Sequence, residues 1–159
     1  MAAGMRVLLA LCVYLLCNAT SATKVAGMPL EKQVAGASDI AVARVEAFTA
    51  RTKDGALLTK GMVRTGPGAG YTVLAQLRIL RVLKGDALRP GMRQQVALWP
   101  LWHMEAELGR IRDPMPVIVL LKQSASGLMP VYAPDPYIPP HLEREVRALL
   151  RRETASAGH

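Results

Sequence analysis

The sequence predicts a mainly β domain, a five-stranded antiparallel barrel of the oligonucleotide/oligosaccharide-binding (OB-like) type with one C-terminal helix. Five short apolar segments show the two-residue alternation and β-branched content of strands. Two of them change phase midway, as strands do at β-bulges. One stripe of apolar residues with helical spacing lies near the C-terminus. We expect the barrel to span residues 38–132, and a small β-sandwich is the alternative.

Residues 1–22 have the three parts of a secretory signal peptide. Arg6 supplies the positive charge, residues 7–16 are apolar, and Thr20 and Ala22 occupy the −3 and −1 positions of a cut after Ala22. The apolar segment is shorter than the roughly 20 residues that a membrane span needs. We therefore expect cleavage near Ala22 and a periplasmic or secreted product that meets the membrane only through its signal. A lipid anchor on Cys17 is the alternative, although bulky Leu16 precedes that cysteine.

Both cysteines of the chain, Cys12 and Cys17, lie inside the expected signal. A mature chain without them has no disulfide, thiol nucleophile or thiolate metal ligand. We predict no catalytic residue, no metal site and no cofactor. The whole chain carries a net charge of +8 at pH 7, and only Arg6 among its charged residues leaves with the signal. Such a charge favours anionic partners or simply keeps the protein soluble.

The strands follow a lead-in over residues 23–37 that we expect to be flexible. The first strand covers 39–48, where the alternation of Ile40 and Val42 slips towards Val45 and Phe48. Residues 49–70 are glycine-rich and are expected to form a long loop. The second strand covers 71–83, and its phase slips at 80–82.

Three further strands and a helix complete the predicted domain. Pro90-Gly91 introduces a strand over 92–99, the apolar segment 116–122 predicts a buried strand, and 128–132 predicts a short fifth one. Residues 133–153 are expected to form a proline-rich connector and an amphipathic helix, in which Leu142, Val146, Leu149 and Leu150 share one stripe. The tail over 154–159 is expected to be disordered.

Four segments together resemble a class of exported bacterial domains similar to the barrel of tissue inhibitors of metalloproteinases and netrin-like modules. They are Ala37–Val45, Ala75–Asp86 with its Arg-Val-Leu-Lys-Gly sequence, Pro90–Val96 and the apolar residues 117–121. The resemblance implies the OB-like fold over most of the mature chain. The metalloproteinase inhibitors chelate the catalytic zinc through an N-terminal cysteine. A mature chain starting at Thr23 lacks that cysteine, so the resemblance does not extend to this mode of inhibition.

The densest group of unusual residues is the segment 99–107. Trp99 and Trp102 could form a stacking platform for a ligand, and His103 beside Glu105 or Glu107 could bind a metal or transfer protons. Alternatively, the tryptophans plug one end of the barrel and the glutamates are solvated. A lone histidine is weak support for zinc, which takes three or four protein ligands. We take Trp99, Trp102, His103 and Glu105 as candidate ligand-binding residues.

A second candidate surface is the arginine cluster in the C-terminal helix. Arg144, Arg147, Arg151 and Arg152 could contact an anionic partner, or they could complement the dipole at the end of the helix. The expected partner is a protein or a polyanionic or glycan ligand, and nucleic acid is not expected.

The functional prediction is an exported, non-enzymatic binding or interaction module. The first alternative is an inhibitor or accessory protein of an exported enzyme, which rests on analogy of fold. The second is a small hydrolase that uses His103 with Glu105 or Glu107.

Overall fold

Two long strands rich in valine, leucine and alanine form the centre of the structure. The computed structural model describes residues 27–58, 70–98 and 108–157. Strand β1 (Asp39–Thr52) and strand β3 (Tyr71–Lys84) have 14 residues each and pair with one another along nearly their whole length. The shorter strands are β2 (Leu57–Leu58), β4 (Arg93–Leu98), β5 (Gly109–Arg110), β6 (Pro116–Ser124), β7 (Gly127–Pro130) and β8 (Tyr137–Ile138).

These strands form one antiparallel sheet in the order β4-β3-β1-β6-β7, with β2 and β5 paired to β1 and β8 paired to β6. The mainly β class and the C-terminal helix are therefore confirmed. The expected closure into a barrel is not established, because no pairing among the described strands joins the edges β4 and β7.

The predicted phase slips coincide with irregularities in the pairing of β1 with β3. The register shifts between Val45 and Ala47, so Glu46 is the additional residue of a bulge in β1. A second shift leaves Leu80 without an opposite residue in β1. Bulges bend a strand and re-aim its side chains, and the one at Glu46 lies in the site described below.

The inner face of the sheet carries the larger apolar core. Alternate residues of β1, β3, β4 and β6 face this side, as the period of a strand requires. The fully buried members include Ala43, Leu77, Ile79 and Val96. In β3, the alternate residues Val73, Ala75, Leu77 and Ile79 all belong to this core, as the alternation in the sequence indicates.

Two helices cover one half of the opposite, outer face. Helix α1 (Leu30–Gly36) and helix α2 (Glu143–Ala157) pack on Ile40 and Ile118, and contribute fully buried Val34 and Val146. Residues 30–36 thus differ from the flexible lead-in that we expected, because Val34 anchors them to this second core. Helix α2 also extends through 154–157, beyond the predicted helix end. A 3-10 turn at Pro140–Leu142 precedes it.

Candidate functional site

The first candidate group cannot be placed relative to the sheet. Trp99, Trp102, His103, Glu105 and Glu107 lie outside the described residues, so the platform, metal and plug interpretations stay predictions. Among the residues that are described, no group of three or more histidine, cysteine, aspartate or glutamate side chains could hold a metal ion.

The second candidate group lies on the exposed side of α2. Arg144, Arg147, Arg151 and Arg152 are all exposed. Arg147 donates to Glu143 at 2.9 Å, and the same carboxylate accepts from Arg81 of β3 at 2.6 Å. One of the four charges is thus part of a small ion-pair network that joins the helix to the sheet.

A different group of basic residues converges on the half of the outer face that the helices leave open. A cleft of about 550 Å³ lies there, within the usual size range of small-molecule sites. Its lining consists of Arg44, Glu46, Ala47, Gln76, Arg78, Arg93, Arg110, Ile111, Arg112 and Pro114. Five arginines and one glutamate give this cleft, which we call the arginine pocket, a net charge of +4.

The floor of the arginine pocket is a row of three arginines in register. Arg44 of β1 is directly opposite Arg78 of β3, and Arg78 is directly opposite Arg93 of β4. Directly opposite residues of antiparallel strands point to the same face and their side chains interact. The antiparallel pairing therefore places three positive charges side by side.

One wall of the pocket is an excursion of the chain, residues 111–115, which connects strands β5 and β6. Both of these strands pair with β1. Strand β5 pairs with Ala47 and Phe48, whereas β6 begins with Pro116 opposite Arg44. The connecting residues 111–115 therefore bulge away from β1, and the backbone N–H of Ile111 donates to the carbonyl of Glu46 at 2.9 Å. This excursion contains Arg112, and Arg110 of β5 immediately precedes it; both residues line the pocket.

Only one of the five arginines of the pocket has an ion-pair partner among the described residues. The Nε atom of Arg93 donates to Oε2 of Glu46 at 2.9 Å, and the Glu46 side chain is only 23% exposed. The other four, Arg44, Arg78, Arg110 and Arg112, form no ion pair in the described part of the chain. Asp113, which is exposed, is the one acidic residue beside them in the excursion.

The neighbouring half of the sheet contrasts with the pocket. There, Arg81 is paired with Glu143, and Lys84 is paired with Glu153 at 3.0 Å. Lys84 also donates to the carbonyl of Val34 at 3.2 Å. These two basic residues therefore have acidic partners, whereas four of the five arginines of the pocket have none among the described residues.

The inner face offers a less suitable site. A small void between the edges β4 and β7 is lined by apolar residues and by Tyr137. Burial raises the pKa of Tyr137 well above its usual range, so its phenol stays protonated. Its hydroxyl has no hydrogen-bond partner among the described residues, and the void is too small to admit a ligand.

The sequence analysis missed the arginine pocket. Its five arginines are distributed between residues 44 and 112, whereas the four arginines of α2 all lie within residues 144–152. The available signal was the polar phase of two strands, where Arg44 interrupts an apolar run and Arg78 alternates with buried residues.

Within the described residues, no helix is long and apolar enough to span a membrane. Comparison of the chain with protein-family models, curated proteins and solved structures finds no significant match.

Proposed function

We propose that this protein is an exported, non-enzymatic binding module that recognises an anionic ligand through the arginine pocket. The observation that carries the proposal is the presence in one cleft of four arginines that have no ion-pair partner among the described residues. Like charges directly opposite in a sheet are destabilising, so an arrangement that brings them together is better explained by binding than by folding. Export rests on the signal-like pattern of residues 1–22.

The chemistry of the lining supports binding rather than catalysis. Arginine remains protonated in proteins and does not act as a general base. The single carboxylate of the lining, Glu46, is already engaged with Arg93. What the pocket supplies is a set of planar donors, which suit carboxylate and phosphate oxygens.

For the fold, we propose a partly open, OB-like barrel. The edge strands β4 and β7 belong to one sheet and have Cα atoms within 8 Å of each other. The sheet therefore curls strongly, so that its two edges come close, as in a partly open Greek-key barrel. In such a barrel, the arginine pocket lies on the outside, over β1, β3 and β4.

The binding proposal is tested by comparing two variants with the same loss of charge. The first replaces Arg44, Arg78 and Arg93 by glutamine, and the second replaces Arg144, Arg151 and Arg152 by glutamine. Backbone amide NMR spectra are followed during titration with orthophosphate, citrate, tripolyphosphate and hexaglutamate at constant ionic strength. We expect at least one anion to shift the amides of β1, β3, β4 and residues 109–114, and the shifts to disappear only in the first variant.

Two outcomes would contradict this proposal. If both variants lose the shifts equally, net charge rather than the pocket governs binding. If the shifts map to α2 instead, the helix arginines are the anion contact. Circular dichroism of both variants shows whether each is folded, and the single substitution Arg112→Gln, in the excursion outside the main strands, serves if the triple pocket variant is not.

A further inference from the structure

The size of the arginine row restricts the kind of anion that fills the pocket. Neighbouring strands lie about 4.8 Å apart, so Arg44, Arg78 and Arg93 span about 10 Å across β1, β3 and β4. A single phosphate group carries about two negative charges, about half of the net charge of +4 in the pocket, so it leaves part of this row without a counter-charge. A ligand that uses the whole floor therefore carries at least two anionic groups.

The number of chain segments that supply the arginines favours tetrahedral anions. Three arginines lie on β1, β3 and β4, whereas Arg110 lies on β5 and Arg112 follows it in the chain. A carboxylate has two oxygens in one plane, whereas a phosphate presents three strong acceptor oxygens in three directions. Donors that come from several separate segments are thus satisfied better by phosphate groups.

The lining also lacks the features of a site for bases or sugars. None of the described lining residues is aromatic, and its apolar part consists of Ala47, Ile111 and Pro114. Proteins that bind single-stranded nucleic acid use aromatic rings for stacking, and amphipathic aromatic side chains are common where a ligand has both apolar and polar surface. The ligand is therefore held mainly through its charged groups.

We propose that the arginine pocket binds a compact ligand with two or more adjacent phosphate groups, an inference that rests on the proposed anion-binding function. Glu46 acts as a positioning residue in this site. Because it accepts from Nε of Arg93, it fixes that guanidinium and leaves its two terminal nitrogens for the ligand. The Glu46 bulge in β1 thus contributes to the geometry of the floor.

The affinity test uses isothermal titration calorimetry of the mature chain with orthophosphate, pyrophosphate, tripolyphosphate and citrate at constant ionic strength. We expect tripolyphosphate to bind at least about 10-fold more tightly than orthophosphate and more tightly than citrate, since charge-assisted hydrogen bonds accumulate along the row. Arg78→Gln should weaken tripolyphosphate binding about 10-fold or more, and the matched control Arg151→Gln should change it less than about 2-fold. If Arg78→Gln does not fold, Arg112→Gln is the second variant.

The source of the phosphates is distinguished by a second pair of ligands. Tripolyphosphate represents a free oligophosphate, and a sugar bisphosphate represents a metabolite with separated phosphates. Preference for the former supports adjacent phosphate groups, and preference for the latter overturns that part of the inference.

The remaining outcomes separate the two proposals. Equal affinity for orthophosphate and tripolyphosphate overturns the need for several anionic groups, and a preference for citrate or hexaglutamate overturns the phosphate class. Either result leaves anion binding by the pocket intact. Absence of binding for every anion overturns both proposals. For Glu46, Glu46→Gln and Glu46→Ala remove the same charge, but only glutamine keeps an acceptor for Nε of Arg93. The ratio of tripolyphosphate to orthophosphate affinity should therefore be lower in Glu46→Ala than in Glu46→Gln, whereas a purely structural role would lower thermal stability without changing that ratio.

Discussion

At the residue scale, the buried carboxylate of Asp39 organises the turn that follows β3. Asp39 is 4% exposed, and its Oδ1 accepts from the backbone N–H of Ala87 at 3.1 Å. Ser38 donates to its other oxygen at 2.8 Å. Asp39 thus closes the turn between β3 and the residues that follow it. The turn depends equally on Gly85, whose φ of 85° lies in the left-handed region.

We predict that Gly85→Ala lowers the free energy of unfolding by about 3 kcal/mol. A Cβ atom there would meet Asp39 and would lie 2.6 Å from the carbonyl oxygen of Ser38, in addition to the strain of positive φ. Gly91→Ala is the matched control, because Gly91 has nearly the same φ of 83° but open space around it. It should cost only about 1 kcal/mol. Urea denaturation measures both, and equal losses would show that contact with Asp39 contributes nothing.

At the element scale, the arginine row has a cost for the sheet that carries it. Arg78 lies between Arg44 and Arg93 in register, so it experiences repulsion from both sides. Sites that break a local rule of stability are commonly those that serve function. The repulsion along the arginine row should therefore be measurable as a loss of stability in the protein without ligand.

We expect Arg78→Gln to raise the free energy of unfolding by about 0.5 kcal/mol at low ionic strength, and by less in concentrated salt, where exposed charges are screened. Arg81→Gln, three residues along the same strand, instead removes one of the two partners of Glu143, which keeps its ion pair with Arg147. It should leave stability unchanged or lower it by up to about 1 kcal/mol. Urea denaturation at two sodium chloride concentrations checks both values. Destabilisation by Arg78→Gln at low salt would contradict the idea of a strained row.

The elements differ in how well the sequence predicts them. The strands around 39–48, 71–83 and 116–122 were predictable because their alternation is local and strong, and even the bulges appeared as phase slips. Helix α1 was not, because it has only seven residues and no side-chain cap at Pro29. Its stability comes from burial of Val34 in the core that α1 shares with α2 and β6, both of which are distant in sequence.

At the scale of the whole molecule, the outer face is divided into two parts with different composition. The part beneath α1 and α2 is apolar and tied down by the ion pairs of Arg81 and Lys84. The part above β1, β3 and β4 is basic and open. This division could not be predicted from the sequence, since it depends on the register of β1 with β3 and β6 together. Arg44, for example, lies in the arginine row because the register of β1 with β3 places it opposite Arg78.

The division predicts that stability and anion binding can be changed separately. Val146 of α2 is fully buried in the second core, so Val146→Ala should lower the free energy of unfolding by about 2 kcal/mol through lost burial and a residual cavity. None of the residues that line the arginine pocket belongs to α2, so tripolyphosphate affinity should stay within about 2-fold of the unmodified protein. Calorimetric titration below the unfolding temperature, together with urea denaturation, measures the two effects in one variant. A parallel loss of affinity in Val146→Ala would mean that the helices hold the floor of the pocket in register, and that the two parts of the outer face act as one unit.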